Sequence, residues 1–91
     1  MSEQRMARMR RALLAQFPDA DIALEDESHL HAGHAGARSG RGHFRLKIVS
    51  TAFEGVTLIA RHRAVYAALG QMMQTDIHAL AIDATTPASD A

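Results

Sequence analysis

Hydrophobic residues recur at helical spacing near the start of the chain. Met6, Met9, Leu13 and Phe17 are separated by three or four positions, which predicts an amphipathic helix. We expect this helix to end at Phe17, because the residue before a proline avoids the helical conformation. The polar face has four arginines against one glutamate, a local charge of +3. A solvated helix face is the simplest interpretation, although mitochondrial presequences have a similar composition.

An alternating pattern follows and predicts two strands. Residues 21–26 place Ile22 and Leu24 on one face, and residues 43–49 are the clearest strand in the chain. In that second strand the apolar side chains point one way, whereas Arg45 and Lys47 point the other way. The glycine- and histidine-rich loop between the strands, residues 27–42, exceeds the length of about 12–15 residues above which loops are usually functional or disordered.

Helical spacing returns from Leu58 to Met72 and Met73, and we expect a break in this second helix near residues 60–61. Gly70 weakens a helix and is expected near its end. Residues 78–83 predict a third strand with Leu80 and Ile82 facing the core. The order helix, strand, strand, helix, strand predicts one α+β domain over residues 1–91, with its core at about 5–87 and a frayed tail at 88–91. The first two strands should pair antiparallel and the third should join them in parallel through a right-handed crossover, with both helices on one face.

Composition and charge narrow the function classes. The chain has no cysteine, which excludes disulfides and any metal site built on its own thiolates. Ten basic and ten acidic residues give zero net charge, which argues against a strongly basic nucleic-acid binder. No apolar run approaches the roughly 20 residues of a membrane span, and no signal peptide is visible, so we expect a cytoplasmic protein without a membrane partner. Without a phosphate loop or nucleophile motif, an enzyme is not expected.

Several short motifs together resemble the BolA-like family over about residues 8–87. They stand in the family's order at consistent spacing: Asp26-Glu-Ser-His-Leu-His31, Gly42-His-Phe44, Ile48-Val-Ser50, Phe53-Glu-Gly55, Arg61-His-Arg63, Val65-Tyr66, Ile77-His-Ala-Leu80 and Thr86-Pro87. The resemblance implies an αββαβ fold related to the second class of KH domains. One departure is Gly42, where the family often has serine or threonine, so a hydroxyl that would pin the loop end is missing.

The resemblance also implies a role in iron–sulfur metabolism. BolA-like proteins pair with a monothiol glutaredoxin, and together with bound glutathione the two proteins hold a [2Fe–2S] cluster. The implied ligands are His78 and a loop histidine, for which His31 and His34 are the candidates and His29 is uncertain. Imidazole nitrogen is a suitable iron ligand.

The residues also permit plainer interpretations. His78 has the same strand parity as Leu80 and Ile82 and is therefore also a candidate for a core-rim histidine. The loop histidines together with His78 also suit adventitious zinc, nickel or copper binding.

A second family role supplies the alternative function, a DNA-binding regulator of cell morphology and stress response. The implied surface lies at Phe53–Arg63. The basic side chains that would contact nucleic acid are Arg45, Lys47, Arg61 and Arg63, and with zero net charge such binding should be weak and salt-sensitive. His43 and His62 are interpreted as structural residues, with His43 pointing outward at the start of the second strand.

Overall fold

A computed structural model describes residues 2–28 and 41–87 and shows the predicted order of elements. The helices are α1 (Ser2–Gln16), α2 (Leu58–Leu69) and the short α3 (Met72–Thr75), the strands are β1 (Asp21–Asp26), β2 (Gly42–Val49) and β3 (Ile77–Thr85), and one 3-10 turn spans Thr51–Phe53. Within these two ranges no helix has the length and apolar content that crossing a membrane requires. The proposed tail at 88–91 lies outside the described residues.

The three strands form one sheet in the order β1-β2-β3. β1 pairs antiparallel with β2, from Asp21 opposite Val49 to Asp26 opposite Phe44. β3 pairs parallel with β2, as the crossover through α2 requires. Alternate side chains therefore project from opposite faces of the sheet. We call the face covered by the helices the helix face and the other one the open face.

The core lies between the helix face and the two long helices. Leu46 and Ile48 of the central strand are fully buried, and so are Met9 and Leu13 of α1 and Val65 of α2. Burying a side chain of this size contributes about 1.5–3 kcal/mol of hydrophobic free energy, so the aliphatic residues account for most of the stability. The sparse aromatic residues also contribute to the core: the rings of Phe17 and Phe53 lie 5.1 Å apart between centroids.

The turn after α1 is fixed by hydrogen bonds to Asp19. The carboxylate oxygen Oδ1 accepts from the Ser50 hydroxyl at 2.7 Å, and Oδ2 accepts from the Thr51 amide and hydroxyl at 2.9 and 2.7 Å. These bonds lower the pKa of Asp19 from 3.8 to about 2, the Thr51 amide being the largest cause. The Pro18-Asp19 sequence thus ends α1 and also joins it to the end of β2.

The second helix is continuous where a break was expected. The Thr57 hydroxyl caps its start by accepting from the Ala60 amide, and the Arg61 amide donates to the Thr57 carbonyl at 2.9 Å, so residues 60–61 are regular helix. The helix ends instead at Gly70, whose φ of 58° suits glycine and whose amide still donates to the Tyr66 carbonyl. The expected break near residues 60–61 was wrong, and the expectation for Gly70 is confirmed.

The chain order places chemically different groups at the two ends of the sheet. One end, called the histidine end, gathers the start of α1, the end of β1, and the starts of β2 and β3, where His43 and His78 lie. The opposite end gathers Phe17, Phe53, Arg61 and the end of β3.

Candidate functional site

A β-bulge presents His78 at the histidine end. Gly42 pairs with Ile77, but the next residue of β2, His43, pairs with Ala79, so His78 is an extra residue in β3. A bulge re-aims the inserted side chain and interrupts the alternation of faces. His78 is accordingly exposed. Its expected parity with the core-facing residues of β3 was wrong because parity cannot be counted across a bulge.

The bulge brings His78 against His43. The two imidazole rings lie 5.0 Å apart between centroids, with 51° between their planes. His43 projects from the open side of β2 as expected, but only 9% of its surface is exposed. The sequence predicted a structural role for His43 but did not predict this contact. The two rings meet only because the bulge shifts the register between β2 and β3, which are far apart in the sequence.

Backbone hydrogen bonds fix the strand that carries His43. The Ser28 hydroxyl accepts from the His43 amide at 3.1 Å, and the Glu27 amide donates to the His43 carbonyl at 2.8 Å. Asp26 in turn accepts from the Ser28 amide at 2.8 Å. The sequence predicts that a hydroxyl pinning the loop end is missing, because position 42 is glycine. In the structure the Ser28 hydroxyl binds the strand at this place instead.

Gly42 suits its close surroundings. A β-carbon at this position would lie 2.6 Å from the Phe44 ring and 3.0 Å from the Ser28 hydroxyl, so a larger residue requires the ring to move. The Gly42 amide donates to the Asp76 carbonyl at 2.9 Å and so joins the starts of β2 and β3. The starts of β2 and β3 are therefore closely packed against each other at this edge of the site.

Asp76 connects the histidine end to α1. Its Oδ2 accepts from Arg5 Nε at 3.2 Å and from Arg8 Nη2 at 2.6 Å. The Thr75 hydroxyl lies 2.6 Å from Oδ1 and is the largest cause of the lowered pKa of Asp76, followed by Arg5 and Arg8. A further guanidinium, from Arg41, donates to the Met73 and Ile77 carbonyls. Three arginine side chains, those of Arg5, Arg8 and Arg41, therefore lie beside the start of β3, next to His78 in the chain.

The loop candidates cannot be placed in this site. His29, His31 and His34 lie in residues 29–40, outside the described residues. Among residues 2–28 and 41–87, no three histidine, aspartate or glutamate side chains are arranged to hold a metal ion. The described part of the chain thus offers an imidazole pair at the edge of a shallow depression of about 520 Å³, which is lined in part by Glu27, His43 and Ala79. Such a pair is at most part of a metal site.

The four basic residues predicted to contact nucleic acid do not share a surface. Arg45 and Lys47 project from the open face, where Arg45 binds the Glu27 carboxylate at 3.0 Å. Arg61 is half-buried at the opposite end and Arg63 is exposed on α2, which packs on the helix face. Acidic side chains flank the open-face pair, at Asp21, Glu25 and Asp83.

Arg61 is engaged by its own domain. Its Nε donates to the Val56 carbonyl and its Nη1 to the Ala84 carbonyl, both at 2.9 Å, and its guanidinium lies 6.0 Å from the Phe53 ring centroid. These contacts tie the segment before α2 to the end of β3. They give Arg61 a structural role that sequence spacing did not reveal.

Comparison with known proteins gives a consistent assignment. The family described as BolA-like protein matches residues 13–89. The chain is 43% identical over 88 residues to the chloroplastic protein BOLA1 of Arabidopsis thaliana, covering 93% of this chain and 55% of that protein. It is 42% identical over 86 residues to the chloroplastic/mitochondrial SufE-like protein 1 of the same plant, covering 89% of this chain and 23% of that protein.

The solved structures agree with this assignment. The BolA domain of SufE1 from Arabidopsis thaliana superimposes with a TM-score of 0.81 at 41% identity, covering 93% of this chain and 94% of that one. The chain spans about half the length of BOLA1 and about a quarter of the length of SufE-like protein 1. Their names place them in organelles, so the expected cytoplasmic location is not confirmed. The family resemblance and the fold that it implied are confirmed, and the chain belongs to the BolA-like family.

Proposed function

We propose that this protein is an adaptor in iron–sulfur metabolism that pairs with a monothiol glutaredoxin and shares a [2Fe–2S] cluster with it. The observation that carries the proposal is the exposed imidazole of His78, which a β-bulge presents at the end of the sheet. A histidine held on a strand is better positioned to bind metal than one on a long loop, because its backbone is fixed by the strand pairing.

The ligand chemistry of the chain supports a shared site. Because the chain has no cysteine, the sulfur ligands must come from another molecule. A glutaredoxin supplies one thiolate from its cysteine and a second from bound glutathione. His78 is the first nitrogen ligand from this chain, and His31 or His34 remains the candidate for the second.

His43 has a supporting place in this arrangement. Its buried ring packs on one side of the His78 imidazole and limits the rotamers that His78 can adopt. A metal-binding histidine held by its neighbours loses less conformational entropy on binding. When bound, the cluster supplies one-electron chemistry, and its histidine ligation raises the reduction potential above that of an all-cysteine cluster.

The proposal is tested by reconstituting the cluster in a mixture of this chain, a monothiol glutaredoxin, iron, sulfide and glutathione. Visible absorption and circular dichroism should differ from those of glutaredoxin alone, and His78→Ala should abolish that difference. His62→Ala is the matched control, because His62 lies on α2, away from the bulge. A wild-type spectrum identical to that of glutaredoxin alone, or an unchanged spectrum for His78→Ala, would refute the proposed function.

DNA binding is the alternative function, and the distribution of basic side chains among the described residues does not favour it. The basic side chains predicted for it lie on different faces, and Arg45 is paired with Glu27. Since protein–DNA affinity grows with the number of phosphates contacted together, scattered cations contribute little. The absence of a recognised catalytic motif in the sequence is the reason for proposing an adaptor rather than an enzyme.

A further inference from the structure

The charges of this neutral chain are distributed unevenly. Helix α1 contains four arginines and one glutamate, a net charge of +3. Because the whole chain is neutral, the remaining residues contain six basic and nine acidic side chains, a net charge of −3. Positive charge is therefore concentrated on a single helix, which we call the positive pole.

The positive pole lies beside the histidine end. Arg8 and Arg11 are exposed on α1 and, with Arg5, line a shallow groove along the helix. Arg8 reaches Asp76 at 2.6 Å, and Asp76 is only two residues from His78. Two residues of extended chain span at most about 7 Å, so the basic face of α1 is close to the exposed imidazole.

A protein that docks at the histidine end over His78 comes within reach of this basic face through Asp76, which contacts Arg5 and Arg8. A stable interface buries about 800 Å² on each partner, a patch roughly 30 Å across. A patch of that size centred on His78 reaches about 15 Å in each direction, which is enough to take in Arg8 at Asp76, and Arg11 is one turn, about 4.5 Å, further along α1. Desolvating arginines against a neutral or basic surface is costly, whereas facing carboxylates gives charge-assisted, bidentate hydrogen bonds.

We propose that the groove formed by Arg5, Arg8 and Arg11 on α1 is the electrostatic docking surface for the cluster-sharing partner, and that this partner presents an acidic patch beside its cluster-binding cysteine. The inference rests on the proposed function and adds the charge of the partner surface. Asp76 is then a local counter-ion that holds Arg5 and Arg8 in place before the partner arrives.

An acidic protein surface fits these charges better than a nucleic acid does. A duplex presents a long, regular row of phosphates, whereas the groove offers only three arginines along one helix, and two of them already contact Asp76. A compact acidic patch on a protein matches so small a group of cations without needing an extended basic surface. The experiment therefore includes a DNA arm, and a loss of DNA binding without a loss of glutaredoxin association would contradict the proposal.

The test measures the association rate constant with a monothiol glutaredoxin, from low to physiological ionic strength. Arg11→Glu is the main variant, because it leaves the Arg5–Asp76 and Arg8–Asp76 contacts intact. Arg8→Gln combined with Arg11→Gln is a second variant that makes the same change of two charge units without introducing a carboxylate. Each should lower the rate constant about tenfold at low salt and flatten its salt dependence. The matched control is Arg63→Glu, which makes the same charge change on another helix, outside the groove, and should lower the rate much less than Arg11→Glu does.

The outcomes separate the two proposals. If wild type binds and forms the shared cluster but Arg11→Glu associates as fast as wild type, the docking surface is wrong and the proposed function stands. If wild type neither binds nor forms the cluster, the proposed function fails and the docking surface with it. If Arg11→Glu loses binding to a labelled DNA duplex and keeps its glutaredoxin association rate, the groove is a nucleic-acid surface and the docking proposal is overturned. Rescue of Arg11→Glu by a carboxylate-to-lysine change on glutaredoxin would identify the facing residue.

Discussion

Replacing Arg61 by alanine should destabilise the fold strongly, although the residue is charged and lies near the start of α2. Its guanidinium donates two hydrogen bonds of 2.9 Å, to the carbonyls of Val56 and Ala84. These bonds join the segment before α2 to the end of β3. Alanine leaves both carbonyls without this donor and removes the contact with the Phe53 ring.

The expected magnitude follows from these contacts. A hydrogen bond to a charged group contributes about 1.5–3 kcal/mol to stability. Because Arg61 is half-buried, water can replace part of each bond, so we take the lower end and expect a total loss of about 2–3 kcal/mol. At about 4–8 °C per kcal/mol for a domain of this size, the melting temperature should fall by about 8–24 °C.

The assay is urea denaturation followed by far-ultraviolet circular dichroism, with Arg63→Ala as the control. Arg63 is two residues further along α2, has the same side chain and is exposed, so its loss should change stability by less than about 0.5 kcal/mol. Arg61→Lys should rescue little, because a single ammonium cannot reproduce the two directed bonds. A loss for Arg61→Ala no larger than that for Arg63→Ala would refute this reasoning.

Three further predictions concern other parts of the fold. The lowered pKa of Asp19 means that its ionised form stabilises the folded state. That stability is fully present above the unfolded value of 3.8 and is lost as the pH falls towards 2, so the stability difference between wild type and Asp19→Asn should shrink over this range in acid denaturation. Leu46→Ala should cost about 3–5 kcal/mol in urea titrations, because it opens a cavity beneath the sheet, whereas Lys47→Ala on the open face should cost little. His43→Asn should move the ring-proton resonances of His78 in NMR spectra, since it removes the imidazole 5.0 Å away, and unchanged resonances would contradict the observed ring contact.

The fold was predictable because its signals are local and periodic. Alternation in β2 follows from burial of Phe44, Leu46 and Ile48 on one face, and the spacing of Met9 and Leu13 follows from their packing against that face. Such periodicities survive in a single sequence because each side chain must face either the core or water. The ends of α1 and α2 were predictable because proline and glycine, at Pro18 and Gly70, act locally on the backbone.

The candidate site was less predictable because it depends on an irregularity between strands far apart in the chain. The bulge at His78 has no sequence mark, yet it decides that His78 is exposed and lies beside His43. The role of Arg61 was hidden in the same way, since its acceptors at Val56 and Ala84 are backbone carbonyls, which every residue has. Contacts of this kind follow from tertiary register and not from residue type.

His78 and Arg61, which belong to the two functions predicted from the sequence, lie at opposite ends of the sheet, which makes these parts of the two functions separable. From Gly42 to Val49 the central strand rises by about 3.3 Å per residue, so the ends lie a little more than about 20 Å apart. This exceeds the Debye length of about 8 Å at physiological salt and the range of about 7–10 Å within which substitutions usually couple. In the double variant of His78→Ala and Arg63→Glu, each substitution should therefore act on its own readout alone, the first on the cluster spectrum and the second on DNA affinity where DNA is bound. A loss of DNA affinity caused by His78→Ala alone would mean that one bound partner spans both sites, and the two roles would then belong to a single interface.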